Sequence, residues 1–306
     1  MGKIKAIGVD IGGTNLRVAL VSGDGEVLER VQLPTNESLI ADIADAIGDM
    51  NDDDVQGIGI AVAGIIDRTS KMVRFSPNLS VVEGADLTGI LSDKFGLPVI
   101  VDNDANCAAL GEKYAGAGNE LDSFILLTLG TGIGGGVVID KELLNIPAEL
   151  GHITVTHDGR QCTCGNHGCL EEHAAAKGIK VMVINALESG EQSSLRDCCD
   201  GNIYRITPKT IHEHAMEGDR LSREILREAG RFLGVGLASL TNIFQPQAFI
   251  LTGGLTNAWN IYVEEAIKEA DKRSLRGLFN KDMVIRSEIR EDAGLIGAAL
   301  HSLRSS

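Results

Sequence analysis

Positive charge is scarce in this chain of 306 residues. It has 28 lysines and arginines against 43 aspartates and glutamates, which gives a formal net charge of −15. Binding to nucleic acid or to anionic membrane surfaces requires cationic stretches, so this balance predicts neither kind of partner. Long apolar runs are also missing, since stretches such as residues 58–66 reach only about half the length of a membrane-spanning helix.

Several common signals are absent as well. The first ten residues, MGKIKAIGVD, lack the apolar segment of a secretory signal, which predicts a cytoplasmic protein. No GxxxxGK[ST] P-loop occurs. Residues 130–135 do match GxGxxG, but the apolar residues that follow read as a strand, whereas a dinucleotide-binding turn opens a helix.

The order of predicted elements indicates two lobes. A strand, a glycine-rich turn and a second strand occupy residues 3–22, and the same pattern returns at residues 123–140. Repetition of one supersecondary unit suggests two related lobes. We therefore predict an α/β protein with an N-terminal lobe over residues 1–107, joined by a last helix at 292–306. A C-terminal lobe would cover residues 108–291.

Both glycine-rich turns have the composition of a phosphate site. The first lies in GVDIGGTNLRVAL, residues 8–20. Gly12 and Gly13 permit positive φ and a close approach of ligand to backbone, and consecutive N–H groups of such a turn can bind an anion. Asp10 would repel a bare phosphate, so its presence favours a nucleotide complexed with a divalent cation. The alternative is a strained hairpin with convenient glycines.

A cysteine cluster predicts a metal site. Cys162, Cys164 and Cys169 form a CxCx₄C pattern whose thiolates suit tetrahedral zinc. The fourth ligand is open on spacing alone, because His152, His157, His167 and His173 are all near in sequence. The alternative is a set of three buried thiols. No position for a reactive water is evident, which favours a structural ion.

Seven motifs follow one another along the chain: DIGGTNLRVAL, PNL (77–79), DNDANCAALGE (102–112), LGTGIGGG (129–136), ELGH (149–152), CTCGNHGCLE (162–171) and LTGG (251–254). They occur in the order known from ROK-family sugar kinases, and the chain resembles that family over nearly its whole length. Within the family, it is most similar to the zinc-containing bacterial and archaeal glucokinases. The resemblance implies a two-lobed actin-like, ribonuclease H-like fold with an interlobe cleft. It also implies ATP- and Mg-dependent phosphorylation of a hexose, with glucose the first expectation, at the 6-hydroxyl.

The resemblance also assigns residues. Asp104 becomes the catalytic base, a role that fits the need of phosphoryl transfer for a positioned proton acceptor. The alternative for DND is a helix N-cap. His152 becomes the fourth zinc ligand, and a homodimer is implied. The implied sugar ligands are Asn78, Asn103, Asp104, Glu149, His152 and Glu171. The implied nucleotide-binding residues are Asp10, Gly12, Gly13, Thr14, Asn15, Gly130, Thr131, Gly132, Gly253 and Gly254.

One loop departs from the family pattern and leaves the substrate open. The segment 140–152 is shorter than usual by about four residues, and Ala148 stands where the family has glycine. An N-acetylhexosamine or another hexose is therefore an alternative substrate. Polyphosphate as the donor would favour a basic groove, which the charge balance does not suggest. A non-catalytic sugar-sensing regulator would carry an N-terminal DNA-binding segment, for which the turn at residue 10 leaves no room.

Overall fold

The computed structural model describes residues 4–67, 70, 72–76, 79–144 and 146–304. They divide into two compact units. The first comprises Met1–Leu126, Gly136–Ala148 and Ser287–Ser306, and the second comprises Leu127–Gly135 and Glu149–Arg286. Residues 108–126 thus belong to the first unit, whereas the sequence predicted a lobe boundary after residue 107. No helix within the described residues combines the length and the apolar character needed to cross a bilayer.

The strand–turn–strand units predicted at residues 3–22 and 123–140 and the predicted last helix are present, with small shifts at their ends. The strands are β1 (Lys5–Ile11), β2 (Asn15–Ser22), β3 (Val27–Pro34), β4 (Val55–Val62), β5 (Ile65–Ile66), β6 (Val73–Phe75), β7 (Val99–Asn103), β8 (Phe124–Leu129), β9 (Ile133–Ile139), β10 (Glu142–Leu143), β11 (Ala248–Thr252) and β12 (Val284–Arg286). The α-helices are α1 (Leu39–Met50), α2 (Leu87–Phe95), α3 (Asp104–Ala115), α4 (Leu170–Ala174), α5 (Ala176–Glu188), α6 (Pro208–Met216), α7 (Arg220–Phe244), α8 (Glu264–Arg273) and α9 (Ala293–Arg304). Helix α6 and the short strands β5, β6 and β10 were not foreseen.

The sheet of the first unit has the strand order β3-β2-β1-β4-β7. The strands β1, β2 and β3 pair antiparallel, whereas β4 runs parallel to both β1 and β7. Alternate residues of a strand point to opposite faces. On β1, Ile7 and Val9 belong to the core cluster that includes residues of α1 and α2, whereas Ala6 packs with residues of α9.

Small residues bring α9 close to this sheet and to α3. A Cβ atom added to Gly8 would lie 2.2 Å from the carbonyl oxygen of Leu295, and one added to Gly59 would lie 1.8 Å from that of Ala298. A Cβ on Gly111 of α3 would likewise lie 2.1 Å from the carbonyl oxygen of Ala293. Glycine is therefore required at these positions by the close approach of α9, whose first residues reach the ends of β1 and β7.

A second sheet has the strand order β10-β9-β8-β11-β12. In the second unit, all residues of β11 are buried, and the 25-residue helix α7 packs against α8. Gly230 and Gly234 of α7 face backbone oxygens of Tyr262 and Ala266. Tyr262 is fully buried, and its hydroxyl donates a hydrogen bond to the carbonyl oxygen of Ala174, which fixes the end of α4.

Candidate active site and metal centre

The first glycine-rich turn is a tight hairpin between β1 and β2. Gly12 donates its N–H to the carbonyl oxygen of Asn15 at 2.9 Å. Neither Gly12 nor Gly13 has a positive φ, so backbone conformation is not the reason for glycine here. Gly13, Thr14 and Asn15 are exposed. A Cβ atom added to Gly12 would lie only 3.2 Å from the carbonyl oxygen of Asn15, which is one structural reason for glycine at this position. Close approach of a ligand to the backbone stays a prediction for this turn.

The carboxylate of Asp10 has a partner that sequence reasoning missed. The hairpin register places Asp10 opposite Arg17, and the two side chains form a short ion pair. Both are largely buried, with 14% of the Asp10 side chain and 22% of the Arg17 side chain exposed. Arg17 therefore already neutralises part of the charge that the sequence analysis assigned to a divalent cation.

Asn103 and Asp104 lie at the start of helix α3. Asn103 is the N-cap of α3, since its Oδ1 accepts hydrogen bonds from the N–H groups of Ala105 and Asn106 at 2.9 and 3.2 Å. Its Nδ2 donates to the carbonyl oxygen of Gly64 at 3.0 Å. Asp104 is then the first residue of the helix. The N-cap role that could have accounted for DND therefore falls to Asn103, although Oδ1 of Asp104 also accepts a hydrogen bond from the N–H of Ala105 at 2.9 Å.

The ends of three elements in the first unit converge at this point. A Cβ atom added to Gly294, at the start of α9, would lie 3.7 Å from the carbonyl oxygen of Asp104 and 3.8 Å from Oδ2 of Asp10. The structure thus brings Asp10 and the Asp104 segment together around Gly294. Asn78, a predicted sugar ligand, lies outside the described residues.

The second glycine-rich turn joins β8 to β9 in the second unit. Gly130 donates its N–H to the carbonyl oxygen of Gly132 at 3.0 Å. The N–H of Ile133 donates to Oε2 of Glu171 at 2.8 Å, which ties the predicted sugar ligand to this turn. A Cβ atom on Gly132 would lie only 2.3 Å from the same oxygen. Gly132 is therefore needed to make room for Glu171, a reason that the sequence did not reveal.

Lys177 of α5 fixes the other oxygen of Glu171. Its Nζ lies 2.7 Å from Oε1 of Glu171 and 2.8 Å from Oε1 of Glu172. Partial burial disfavours the charge of this ammonium group, but the hydrogen bonds from the two carboxylates raise the pKa of Lys177 well above its ordinary value. The lysine stays protonated, and Glu171 is held from both sides.

Glu149 immediately precedes a short 3-10 helix, Leu150–His152, and His152 is the last residue of that helix. Partial loss of hydration raises the pKa of Glu149. The nearby His152 acts to lower this pKa, and the negative charge of Glu171 acts to raise it. Ala148, which replaces the family glycine, adopts a left-handed conformation with φ of 42°. The backbone conformation typical of glycine is therefore kept although the glycine is lost.

His152, Cys162, Cys164 and Cys169 form one cluster in which the potential ligand atoms all lie within 4.8 Å of one another. Sγ of Cys162 lies 3.5 Å from Nδ1 of His152, and Sγ of Cys164 lies 3.7 Å from Sγ of Cys169. Tetrahedral zinc, with Zn–S of about 2.3 Å and Zn–N of about 2.05 Å, separates such pairs by about 3.6 and 3.8 Å. The donor set and its spacing therefore fit a four-coordinate zinc ion.

The other three histidines do not belong to this cluster. His157 is exposed and contacts Asp158, and His167 lies in a β-bridge with Gln161. His173 is buried, and its Nε2 accepts a hydrogen bond from the N–H of Arg160 at 3.2 Å. Burial lowers the pKa of His173, which keeps it neutral. Of the four candidates, the structure brings His152 to the cysteines.

Gly253 and Gly254 follow β11. Gly253 has φ of 94°, and a Cβ atom there would lie 2.5 Å from the carbonyl oxygen of Leu129, next to the second turn. Glycine is therefore obligatory at 253, whereas nothing lies within 4 Å of the Cβ position of Gly254. The two predicted nucleotide-binding segments of the second unit, 130–132 and 253–254, follow the ends of β8 and β11, which are strands of one sheet.

Known proteins share these features over nearly the full chain. Residues 6–304 match the ROK family. The chain is 38% identical to a glucokinase of Thermotoga maritima, with 98% of this chain and 97% of that protein covered. It also resembles the crystal structure of a ROK-family glucokinase from Streptomyces griseus in complex with glucose and AMPPNP. That similarity has a TM-score of 0.85 and 33% identity, and it covers 98% of this chain and 99% of the other.

A xylose repressor of Caldicellulosiruptor bescii is 31% identical, with 95% of this chain and 76% of the repressor covered. The mixed α/β architecture and the similarity to solved ROK-family kinases define the chain as a two-lobed, actin-like protein of the sugar-kinase class. It belongs to the ROK family.

Proposed function

We propose that this protein is an ATP-dependent kinase that phosphorylates a hexose, with glucose as the expected substrate, at the 6-hydroxyl. The observation that carries the proposal is the placement of Asp104 at the first position of α3, with the capping role taken by Asn103. Support comes from relatives named glucokinases at 35–38% identity and from the solved glucokinase with glucose and AMPPNP.

Asp104 acts as the general base in this proposal. The oxygen of the acceptor hydroxyl forms a bond to the γ-phosphorus of ATP, and the bond from that phosphorus to the bridging oxygen breaks, which releases ADP. The hydroxyl proton passes to the carboxylate of Asp104. Such a transfer depends mainly on positioning and on charge stabilisation, so a carboxylate held by the start of a helix suffices.

The hexose is bound, in this proposal, by Asn78, Asn103, Asp104, Glu149, His152 and Glu171. Carboxylate and amide groups suit vicinal hydroxyls because they make paired hydrogen bonds. Glu171 is anchored by Lys177 and by the N–H of Ile133 before any ligand arrives. In His152, Nδ1 faces Cys162, so Nε2 is the ring nitrogen that would meet a hydroxyl.

A zinc ion held by His152, Cys162, Cys164 and Cys169 would be structural, because all four positions of a tetrahedron are taken by protein atoms. It would fix the segment around His152 to Cys169, the residue before α4. Glu171 lies in the first turn of that helix. The four ligands, with zinc bound, would thus hold both His152 and Glu171, two predicted sugar ligands, in place.

ATP is the proposed donor, bound with Mg²⁺. The proposed nucleotide-binding residues are Asp10, Gly12, Gly13, Thr14 and Asn15 in the first unit and Gly130, Thr131, Gly132, Gly253 and Gly254 in the second. Mg²⁺ would supply charge neutralisation to the phosphates, with Asp10 as the nearest proposed carboxylate. We also propose that the protein is cytoplasmic and that it forms a homodimer. Sedimentation velocity on the purified protein tests the homodimer.

A coupled assay of ADP formation tests the function and the substrate together. We expect glucose to give the highest kcat/KM in a panel of glucose, mannose, N-acetylglucosamine and N-acetylmannosamine with Mg-ATP. Replacing ATP by polyphosphate should abolish turnover. A higher kcat/KM for an N-acetylhexosamine would indicate that the shortened loop before Glu149 favours that substrate. No turnover with any sugar would refute the proposed kinase activity.

A further inference from the structure

We propose that Lys177 is a positioning residue that couples nucleotide binding to hexose binding within the second unit. This inference rests on the proposed function, since it assigns nucleotide to the turn Gly130–Gly132 and hexose to Glu171. Neither the family motifs nor the sequence pattern singled out Lys177. Hydrogen bonds link Thr131, Ile133, Glu171 and Lys177 in a closed ring, here called the Lys177 ring.

The backbone of Lys177 touches the turn directly. The N–H of Ala176 donates to the carbonyl oxygen of Gly130 at 3.0 Å, and the N–H of Lys177 donates to the carbonyl oxygen of Thr131 at 3.4 Å. The first N–H groups of a helix have no partner within the helix. Helix α5 has no side-chain cap, so the carbonyl groups of the turn satisfy its first donors. A shift of the turn therefore disturbs the start of α5.

The side chain of Lys177 touches the predicted sugar ligand. Its Nζ bonds Oε1 of Glu171 at 2.7 Å, and Oε2 of the same carboxylate accepts the N–H of Ile133 at 2.8 Å. The path from the turn through Lys177 to Glu171 thus returns to the turn at Ile133. The Glu171 side chain is only 15% exposed and that of Lys177 is 33% exposed, so solvent screens their pairing less than it would at the surface.

The ring also fixes the sign of the coupling. A phosphate bound to the backbone of the turn would immobilise residues that already hold Glu171 through two contacts. A carboxylate ordered in advance binds hydroxyls with a smaller entropic cost, so nucleotide should tighten hexose binding. Linkage requires that hexose tightens nucleotide binding by the same factor, and such couplings usually amount to about 5- to 150-fold.

The adjacent Glu172 explains why a lysine is needed. Its Oε1 lies 2.8 Å from the same ammonium group, so one cation holds two carboxylates that follow each other in the chain. Without that cation, the two like charges repel, and Glu171 would turn away from the geometry that Ile133 supports. An arginine could replace the lysine because its planar guanidinium group offers several donors to two carboxylates.

Isothermal titration calorimetry tests the coupling in the full-length protein. The hexose with the highest kcat/KM is titrated with and without Mg-AMPPNP into the wild type, Lys177→Met, Lys177→Arg and the control Lys180→Met. We expect nucleotide to lower the hexose Kd at least about 5-fold in the wild type, in Lys177→Arg and in Lys180→Met. In Lys177→Met this factor should fall to near one, with a weaker hexose Kd.

Thermal unfolding and zinc content show whether each variant is folded. A wild type without any effect of nucleotide on the hexose Kd would overturn the inference, as would Lys177→Met with the full effect. If Lys177→Met does not fold, the wild-type and Lys177→Arg factors decide. Failure of the wild type to bind any hexose would instead refute the proposed function, so the two failures are distinguishable.

Discussion

Replacement of Gly132 by alanine should weaken hexose phosphorylation through displacement of Glu171. The new Cβ would lie 2.3 Å from Oε2 of Glu171, about 1 Å inside the usual carbon–oxygen contact of about 3.5 Å. The carboxylate must move by that amount, which breaks its 2.8 Å hydrogen bond with the N–H of Ile133. A hydrogen bond to a charged group contributes about 1.5–3 kcal/mol. At about 1.4 kcal/mol per factor of ten, kcat/KM for the hexose should fall about 10- to 100-fold.

The coupled assay of ADP formation, with hexose varied at saturating Mg-ATP, measures this loss. Gly130→Ala is the matched control, because nothing lies within 4 Å of its added Cβ. That variant should keep the hexose KM, whatever it does to the KM for ATP. A Gly132→Ala enzyme with a wild-type hexose KM and kcat would refute the role assigned to Glu171.

Three further predictions concern the metal, pH and backbone strain. Cys162→Ser should lose zinc, lower the Tm and raise the hexose KM, because structural zinc contributes on the order of 10 kcal/mol; a zinc-free variant with unchanged Tm and KM would contradict this. Glu112 is fully buried, and loss of hydration raises its pKa above the ordinary 4.5. The contribution of protonated Glu112 to the free energy of unfolding is therefore lost as the pH rises from 4.5 through the folded-state pKa. Glu112→Gln should therefore gain stability relative to wild type in urea unfolding at pH 8 more than at pH 4.5, and a smaller gain at pH 8 would contradict this. Ala148→Gly should raise stability by up to about 1 kcal/mol, since relief of a left-handed alanine outweighs the added backbone entropy, whereas Ala175→Gly, at φ of −78°, should lower it.

The Cys/His cluster and both glycine-rich hairpins were predictable because they depend largely on local sequence. The cysteine spacing predicted the metal cluster, and the strand–turn–strand pattern predicted both hairpins. The pairing of Asp10 with Arg17 could also have been found, because a tight turn at 12–15 sets these two residues opposite each other. Helix α6 had a signal too, since Thr207 caps it and Pro208 occupies its first turn.

Other features depended on tertiary contacts and were out of reach. Spacing could not choose among four histidines, since only the fold shows which one meets the cysteines. The need for glycine at 132 comes from Glu171, which is 39 residues further along the chain. Lys177 lies in a helix with an ordinary pattern, and its contact with the second turn appears only when α5 is placed. The identity of Asn103 as the N-cap could not be predicted, because it depends on the exact residue at which α3 begins.

The central claim is that Asp104 accepts the proton of the sugar hydroxyl, and Asp104→Asn tests it most directly. The amide has nearly the same shape but cannot accept that proton, so kcat should fall at least about 100-fold. Hexose binding by calorimetry and the Tm should remain close to wild type, because Asn103 caps α3. A folded Asp104→Asn protein that forms ADP at the wild-type rate in the presence of hexose would contradict the account.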